Sequence, residues 1–168
     1  VASKEAREEA IRHASEMVRS GNPFVRPLNP TTPVEDEPIV AWRGWRLEPT
    51  TCTLKSLVWS TPWPKIEPLQ AAVAVGREAT SDPVVPTEEG HLGIYAWRSR
   101  GQLIDIIQLD AFTVPVWGQV SLWGTVIEHE LGYRAEFAYP YSLMLLEADA
   151  ARFSARLRDA YGVEVTSI

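Results

Sequence analysis

The stretch Val116 to Tyr139, VWGQVSLWGTVIEHELGYRAEFAY, constrains the fold more than any other part of the chain. Apolar and polar residues alternate on both sides of Leu131-Gly132, so the segment reads as one long β-hairpin closed by a two-residue loop. Pairing across that loop sets Val116, Val120, Leu122 and Val126 on the same side as Ala135, Phe137 and Tyr139, which makes that side a core face. The opposite side carries Trp117, Gln119, Ser121, Trp123, Thr125, His129, Arg134 and Glu136. Gly118 and Gly124 read as bulges or points of close packing that coil the hairpin toward a barrel.

The rest of the chain supplies partners for this hairpin. From Ile39, IVAWRGWRL and TCTLKSLVW flank the turn-forming Glu48-Pro49-Thr50 and are compatible with a second hairpin. Alternation puts Trp42, Gly44 and Arg46 on one face there and Trp45 on the other. Trp63 stands between Pro62 and Pro64 in a rigid loop, and HLGIYAWRS from His91 reads as a strand. Leu69 to Val75 and Gln102 to Leu109 suit helix and strand equally well. Glu147 to Tyr161 is a helix with Ala150, Phe153, Leu157 and Ala160 on one stripe, capped by Gly162, and Val163 to Val165 adds a short strand.

Ahead of these, Ser3 to Arg19 spaces Ala6, Ala10, Ile11, Ala14, Met17 and Val18 as an amphipathic helix that Gly21 ends. Asn22 to Pro38 then contains Pro23, Pro27, Pro30, Pro33 and Pro38, which argues against helix and central strand. The expected organisation is an N-terminal helix at 1–21, a proline-rich linker at 22–38 and a β-rich domain at 39–168. The expected fold class is α+β: a coiled antiparallel sheet or partial β-barrel with a C-terminal packing helix.

A chain of 168 residues sustains one ordinary core. Its net charge of −6 works against a broad phosphate-binding surface of the kind that dominates duplex DNA affinity. The single cysteine, Cys52, forms no disulfide or cysteine-based zinc cluster within one chain and fits a reducing cytoplasm. No run of about 18 apolar residues appears, and the charged N-terminus lacks the apolar centre of a signal peptide, so a cytoplasmic location off the membrane is expected.

Reactive constellations are weak. In Glu128-His129-Glu130 the carboxylates point one way along a strand and the imidazole the other, so the three do not converge by themselves. The expectation is Glu128 and Glu130 in solvent, with His129 paired across the strands to Arg134 and Glu136. His13 and His91 are the only other histidines available to a metal. Cys52, in an alternating strand with Thr51 and Thr53, reads as a small core residue. Ser121 lacks the strand-turn-helix glycine setting of a hydrolase serine, and Gly90, Gly93 and Gly101 lack the spacing of a phosphate loop. No catalytic residue, metal or cofactor is expected.

The aromatic and arginine set is richer: Trp42, Arg43, Trp45, Arg46, Trp97, Arg98, Trp117, Trp123 and Arg134. Rings of this kind stack bases, pack on arginines across a sheet or bury a partner protein. The combination of Gly44-Trp45-Arg46, Gly93-Ile94-Tyr95-Ala96, WGQVSLWGTVIEHELGYRAEFAYP and a helix closing on Tyr161-Gly162-Val163 resembles an uncharacterised bacterial and bacteriophage family over about Ile39 to Val165. Many members of that family carry cysteines just before the Gly-Ile-aromatic strand. Glu88-Glu89-Gly90-His91-Leu92 stands there in this chain, so no metal or redox role carries over.

GIYAW and VWGQVSLWG are also similar to strands of PUA-like domains, the group of ASCH and EVE modules. That likeness implies an aromatic-lined pocket for RNA or a modified base. The expected ligand-binding set is therefore Trp45, Arg46, Trp97, Trp117, Trp123, His129 and Arg134. The leading expectation is a non-catalytic interaction module with a protein partner or a second copy; a PUA-like reader of a nucleotide or single-stranded nucleic acid is the alternative, and an enzyme of unidentified class the second.

Overall fold

The computed structural model describes residues 32–57, 60–71, 86–88, 92–103 and 114–168. The N-terminal helix, the linker up to residue 31, His13, His91 and most of the two ambiguous segments lie outside the described residues. The described strands are β1 (Thr32–Glu48), β2 (Thr53–Ser56), β3 (Leu69–Gln70), β4 (Ile94–Trp97), β5 (Val114–Glu128), β6 (Gly132–Leu145) and β7 (Glu164–Ser167). Helix α1 (Glu147–Tyr161) lies between β6 and β7. The fold is α+β, with sheet dominant.

β5 is the central strand, antiparallel to β1 on one edge and to β6 on the other. The far edges of β1 and β6 both pair with β4, through Trp42↔Trp97 and through Ile94↔Ala135 to Trp97↔Gly132, so β1, β5, β6 and β4 follow one another in a closed cycle of pairing. β2 extends β1, β3 extends β6, and β7 joins β6 in parallel.

β1 starts at Thr32, not Ile39, so the expected linker is strand over its last residues. Pro38 is accommodated by an irregularity, since the register shifts between Val34 and Ile39 and releases Glu35-Asp36-Glu37-Pro38 from the ladder, whereas Pro33 keeps its place opposite Thr125. Proline is tolerated at such breaks because no donor is needed there.

The long hairpin forms, but its loop is Glu130-Leu131, one residue earlier than expected, with the His129 N–H donating to the Gly132 carbonyl at 2.8 Å and Glu128 opposite Tyr133. Two bulges coil it. Trp123↔Phe137 is followed by Val126↔Ala135, three steps on β5 against two on β6, and Gly124 takes φ 73° at that point. A left-handed glycine is what this type of bulge requires. On β6, Gln119↔Ser142 and Val120↔Pro140 leave Tyr141 as the extra residue, 55% exposed.

Each bulge flips the alternation beyond it. Ala138, not Phe137, is the buried residue opposite Leu122, and Phe137 stands opposite Trp123 on the other face. Ala138, Leu143 and Leu145 then join Ala41, Trp45, Val116, Val120 and Leu122 in the core.

α1 forms where expected. Phe153, Leu157 and Tyr161 recur every four residues on its buried stripe, while Glu147 and Asp149 open it and Arg158 lies in its last turn, as the helix dipole favours. Gly162 at φ 66° ends it, donating its N–H to the Arg158 carbonyl at 2.8 Å. Cys52 is buried as expected, but in the turn before β2 at φ 53°, not in a strand.

The buried Tyr161 hydroxyl ties α1 to the sheet by accepting from the Leu54 N–H at 2.8 Å and donating to the Trp63 carbonyl at 3.1 Å. Tyr161→Phe strands both groups and is expected to cost about 1–3 kcal/mol in urea unfolding. Burial pushes the Tyr161 phenol up to about 12, offset in part by the Leu54 N–H. The folded state thus favours the neutral phenol. Its contribution is fully present below about pH 10, where an unfolded tyrosine ionises, and is lost as pH rises toward the folded value. The alkaline fall in the unfolding midpoint should be shallower in Tyr161→Phe than in the parent protein.

Candidate functional site

Alternation along β1 separates its aromatic residues onto two faces. On the inner face Trp45 is fully buried, its ring meeting Trp63 edge to face at 5.4 Å and 87°. Such a pair adds about 0.5–1.5 kcal/mol to the burial of its area. Trp45, expected in a ligand site, is therefore a core residue, because its register partner Val116 lies on the buried side. Arg43 shares that face. It donates to the Tyr95 carbonyl and to Ser56 Oγ at 3.2 Å, and its guanidinium lies 5.0 Å from the centre of the Trp63 ring. Trp63 Nε1 donates to the same Ser56 Oγ at 3.0 Å.

The hairpin end is a second buried polar cluster. Arg134 is 1% exposed, donating to the carbonyls of Thr87 at 2.8 Å and Leu92 at 3.0 Å, and its Nε lies 3.5 Å from His129 Nε2. In that contact Nε2 of His129 is the acceptor. Desolvation lowers the Arg134 pKa, and nearby Tyr95 raises it in part. Both residues were expected on an open face beside Trp117 and Trp123; instead both are buried, with Arg134 held by the Thr87 and Leu92 carbonyls. The His129 to Arg134 pairing forms as expected, whereas Glu136 accepts from the Thr125 N–H at 3.0 Å and secures the Gly124 bulge.

Arg98 clamps the same turn from outside. It donates to Glu128 Oε1 at 2.8 Å, the His129 carbonyl at 2.8 Å and the Tyr133 hydroxyl at 2.9 Å, with its guanidinium 4.9 Å from the Tyr133 ring centre. Glu128 is thus held in an ion pair, and Glu130 is exposed as expected. Arg46 is partly buried and donates to the Leu57 carbonyl and to Ser60 Oγ at 3.2 Å, which ties it to the segment after β2. The arginines expected to meet a ligand are engaged within the chain.

What remains on the outer face is aromatic. Trp97 of β4, Trp42 of β1, Gln119 of β5 and Ser142 of β6 are successive register partners, so they form one row across four strands. The next row is Gly44, Trp117 and Met144, which sets Trp117 diagonal to Trp42. Further along β5, Trp123 stacks on Phe137 with ring centres 6.1 Å apart and planes inclined by 19°. These five aromatic residues are partly exposed and stand outside the buried core cluster. Val40 at 42% and Tyr141 at 55% exposure flank the rows.

Trp97, Trp117 and Trp123 thus occupy the expected face together, joined by Trp42. Trp45, Arg46, His129 and Arg134 serve the core, the segment after β2 and the hairpin end. Arg43 with Trp63 is the constellation that sequence reasoning passed over; its signal was the two-residue spacing from Trp45. Among the described residues no group of three or more His, Cys, Asp and Glu gathers to hold a metal, and no helix is long and apolar enough to cross a membrane. Burial pushes the Cys52 thiol up, outweighing the pull of Arg156 and Lys65, which disfavours a nucleophilic thiolate.

Comparison with protein-family models, curated proteins and solved structures finds no match for this chain.

Proposed function

We propose that the chain is a non-catalytic binding module of a bacterial or phage system, and that its outer sheet face receives a protein partner. The observation that carries this reading is the row of Trp97 and Trp42 with Trp117 diagonal to it, partly exposed on a rigid sheet and outside the core. Tryptophan is the residue most enriched at interface hot spots, since a wide ring is fixed there at small entropic cost. The surrounding Gln119, Ser142 and Met144 give the mix of polar and adaptable contacts that protein interfaces use.

A PUA-like reader of a nucleobase is the rival, and the closed cycle of four strands, read as a partial barrel, favours it. It would draw on Arg46 or Arg134 beside stacked rings. Both arginines are bonded to backbone carbonyls, which weighs the reading toward a protein surface.

The test is site-specific photo-crosslinking in the native host, with p-benzoylphenylalanine placed at Trp42, at Trp117 and at Ala151 on the exposed side of α1. The expected result is one discrete protein adduct, a second copy or another chain, from the first two positions and none from Ala151. Adducts to nucleic acid from Trp42 and Trp117 would favour the PUA-like reading, and equal adducts from all three positions would remove the proposed face. Once the partner is identified, Trp117→Ala should weaken its binding at least about tenfold, as hot-spot truncations do.

A further inference from the structure

We propose that Arg43 and the Trp45 indole N–H form a carboxylate-binding site on the inner side of the sheet. The proposal rests on different residues from the outer face and does not depend on that reading. Arg43 lies between Ala41 and Trp45, which are 1% and 0% exposed, where the strand alternation calls for an apolar side chain. Around its guanidinium stand the Tyr95 carbonyl, the Ser56 hydroxyl and the Trp63 indole ring, all neutral. No carboxylate pairs with it among the described residues. A cation taken out of water without a counter-charge is among the most costly arrangements in a fold.

Two donors in this cluster are buried without an acceptor: Arg43 Nε and Trp45 Nε1. Both belong to side chains packed on Trp63, Arg43 at 5.0 Å from its ring centre and Trp45 at 5.4 Å. A single missing partner is a local defect, but here two donors on side chains two residues apart along one face of β1, both packed on the same ring, lack acceptors. Burial also pulls the Arg43 pKa down to about 10, with no acid opposing it. An incoming negative charge would reverse that effect.

The donor set selects the anion. A carboxylate brings one charge and two coplanar oxygens, which matches the planar guanidinium edge and the number of unpaired donors. A phosphate dianion brings more charge and more oxygens than these groups satisfy. Trp45, Trp63 and Ser56, at 0%, 1% and 4% exposure, close the site on the inner side. A ligand would enter where Arg43 is itself partly exposed. The carboxylate can come from a free small acid or from an acidic peptide side chain.

The test uses the whole ¹⁵N-labelled protein, following the Arg43 Nε–H and Trp45 Nε1–H signals. Sodium acetate, a short Asp-containing peptide with blocked ends, its Asn counterpart and inorganic phosphate are titrated against sodium chloride at equal ionic strength. Both signals should shift saturably with acetate or with the Asp peptide, and not with the Asn peptide. Response to acetate assigns a free acid; response to the Asp peptide alone assigns a tethered carboxylate. In Arg43→Met, binding measured by thermal shift should weaken at least tenfold. If that variant does not fold, the titration of the parent protein decides alone. No response beyond chloride, an equal response to phosphate, or full binding by folded Arg43→Met would each overturn the proposal.

Discussion

Gly118→Ala should lower the stability of the folded chain by about 3 kcal/mol or more, at the upper end of what overpacking costs. A Cβ at this position would lie 2.0 Å from the Ser142 carbonyl oxygen and 3.0 Å from the Leu143 Cα. Both atoms belong to the backbone of β6 at the bulge that exposes Tyr141, so no side chain can swing away to relieve the contact. β5 and β6 would have to separate in the middle of the sheet, loosening the core that Val120 and Leu143 share. Urea unfolding of Gly118→Ala beside Gly101→Ala is the check. Nothing lies within 4 Å of a Cβ at Gly101, so that substitution should stay within about 0.5 kcal/mol of the parent protein.

Arg134→Ala carries the second large effect. Removing the guanidinium takes this donor from the Thr87 and Leu92 carbonyls and from His129 Nε2; a stranded acceptor costs about 1–3 kcal/mol when buried, as at His129, and less at the exposed Thr87. A total loss of about 3–5 kcal/mol is expected, because a large buried side chain is truncated together with its hydrogen bonds. The signature is local as well as global: amide exchange should rise first at residues 86–88 and 92–93, which the guanidinium holds against the hairpin. Gly93 belongs to the same unit. At φ 138° its missing Cβ would fall 2.3 Å from Arg134 Cγ, so Gly93→Ala and Arg134→Ala should be non-additive when combined.

These two residues also mark where sequence reading succeeds and where it stops. The hairpin and α1 were legible because their signals are local: a period of two around a turn, and a four-residue stripe ending at a left-handed glycine. Trp45 against Trp42 was legible for the same reason, since no bulge interrupts β1 between Ile39 and Leu47. The register of the hairpin was not. One extra residue at Gly124 and another at Tyr141 reverse the parity, and Phe137 moves to the outer face although its local pattern is apolar-inward. The start of β1 was hidden by Pro33 and Pro38; Pro38 falls in a break in pairing that is visible only once β5 is in place, and Pro33 pairs opposite Thr125 beyond it. The burial of Arg134 depends on carbonyls 42 and 47 residues earlier in the chain, and no local spacing encodes that. Glycine was informative at Gly118 and Gly124 as markers of close approach, although not of which strand yields.

Hydroxyl-radical footprinting of the free protein, read at each tryptophan by mass spectrometry, tests the division into a structural inner face and a presented outer face. Trp45 and Trp63, 0% and 1% exposed, should stay protected, while Trp42, Trp97, Trp117 and Trp123 should all oxidise readily. Oxidation of Trp45 and Trp63 as fast as the other four, or protection of the four outer tryptophans in the free chain, would contradict the two-faced sheet and the binding role built on it.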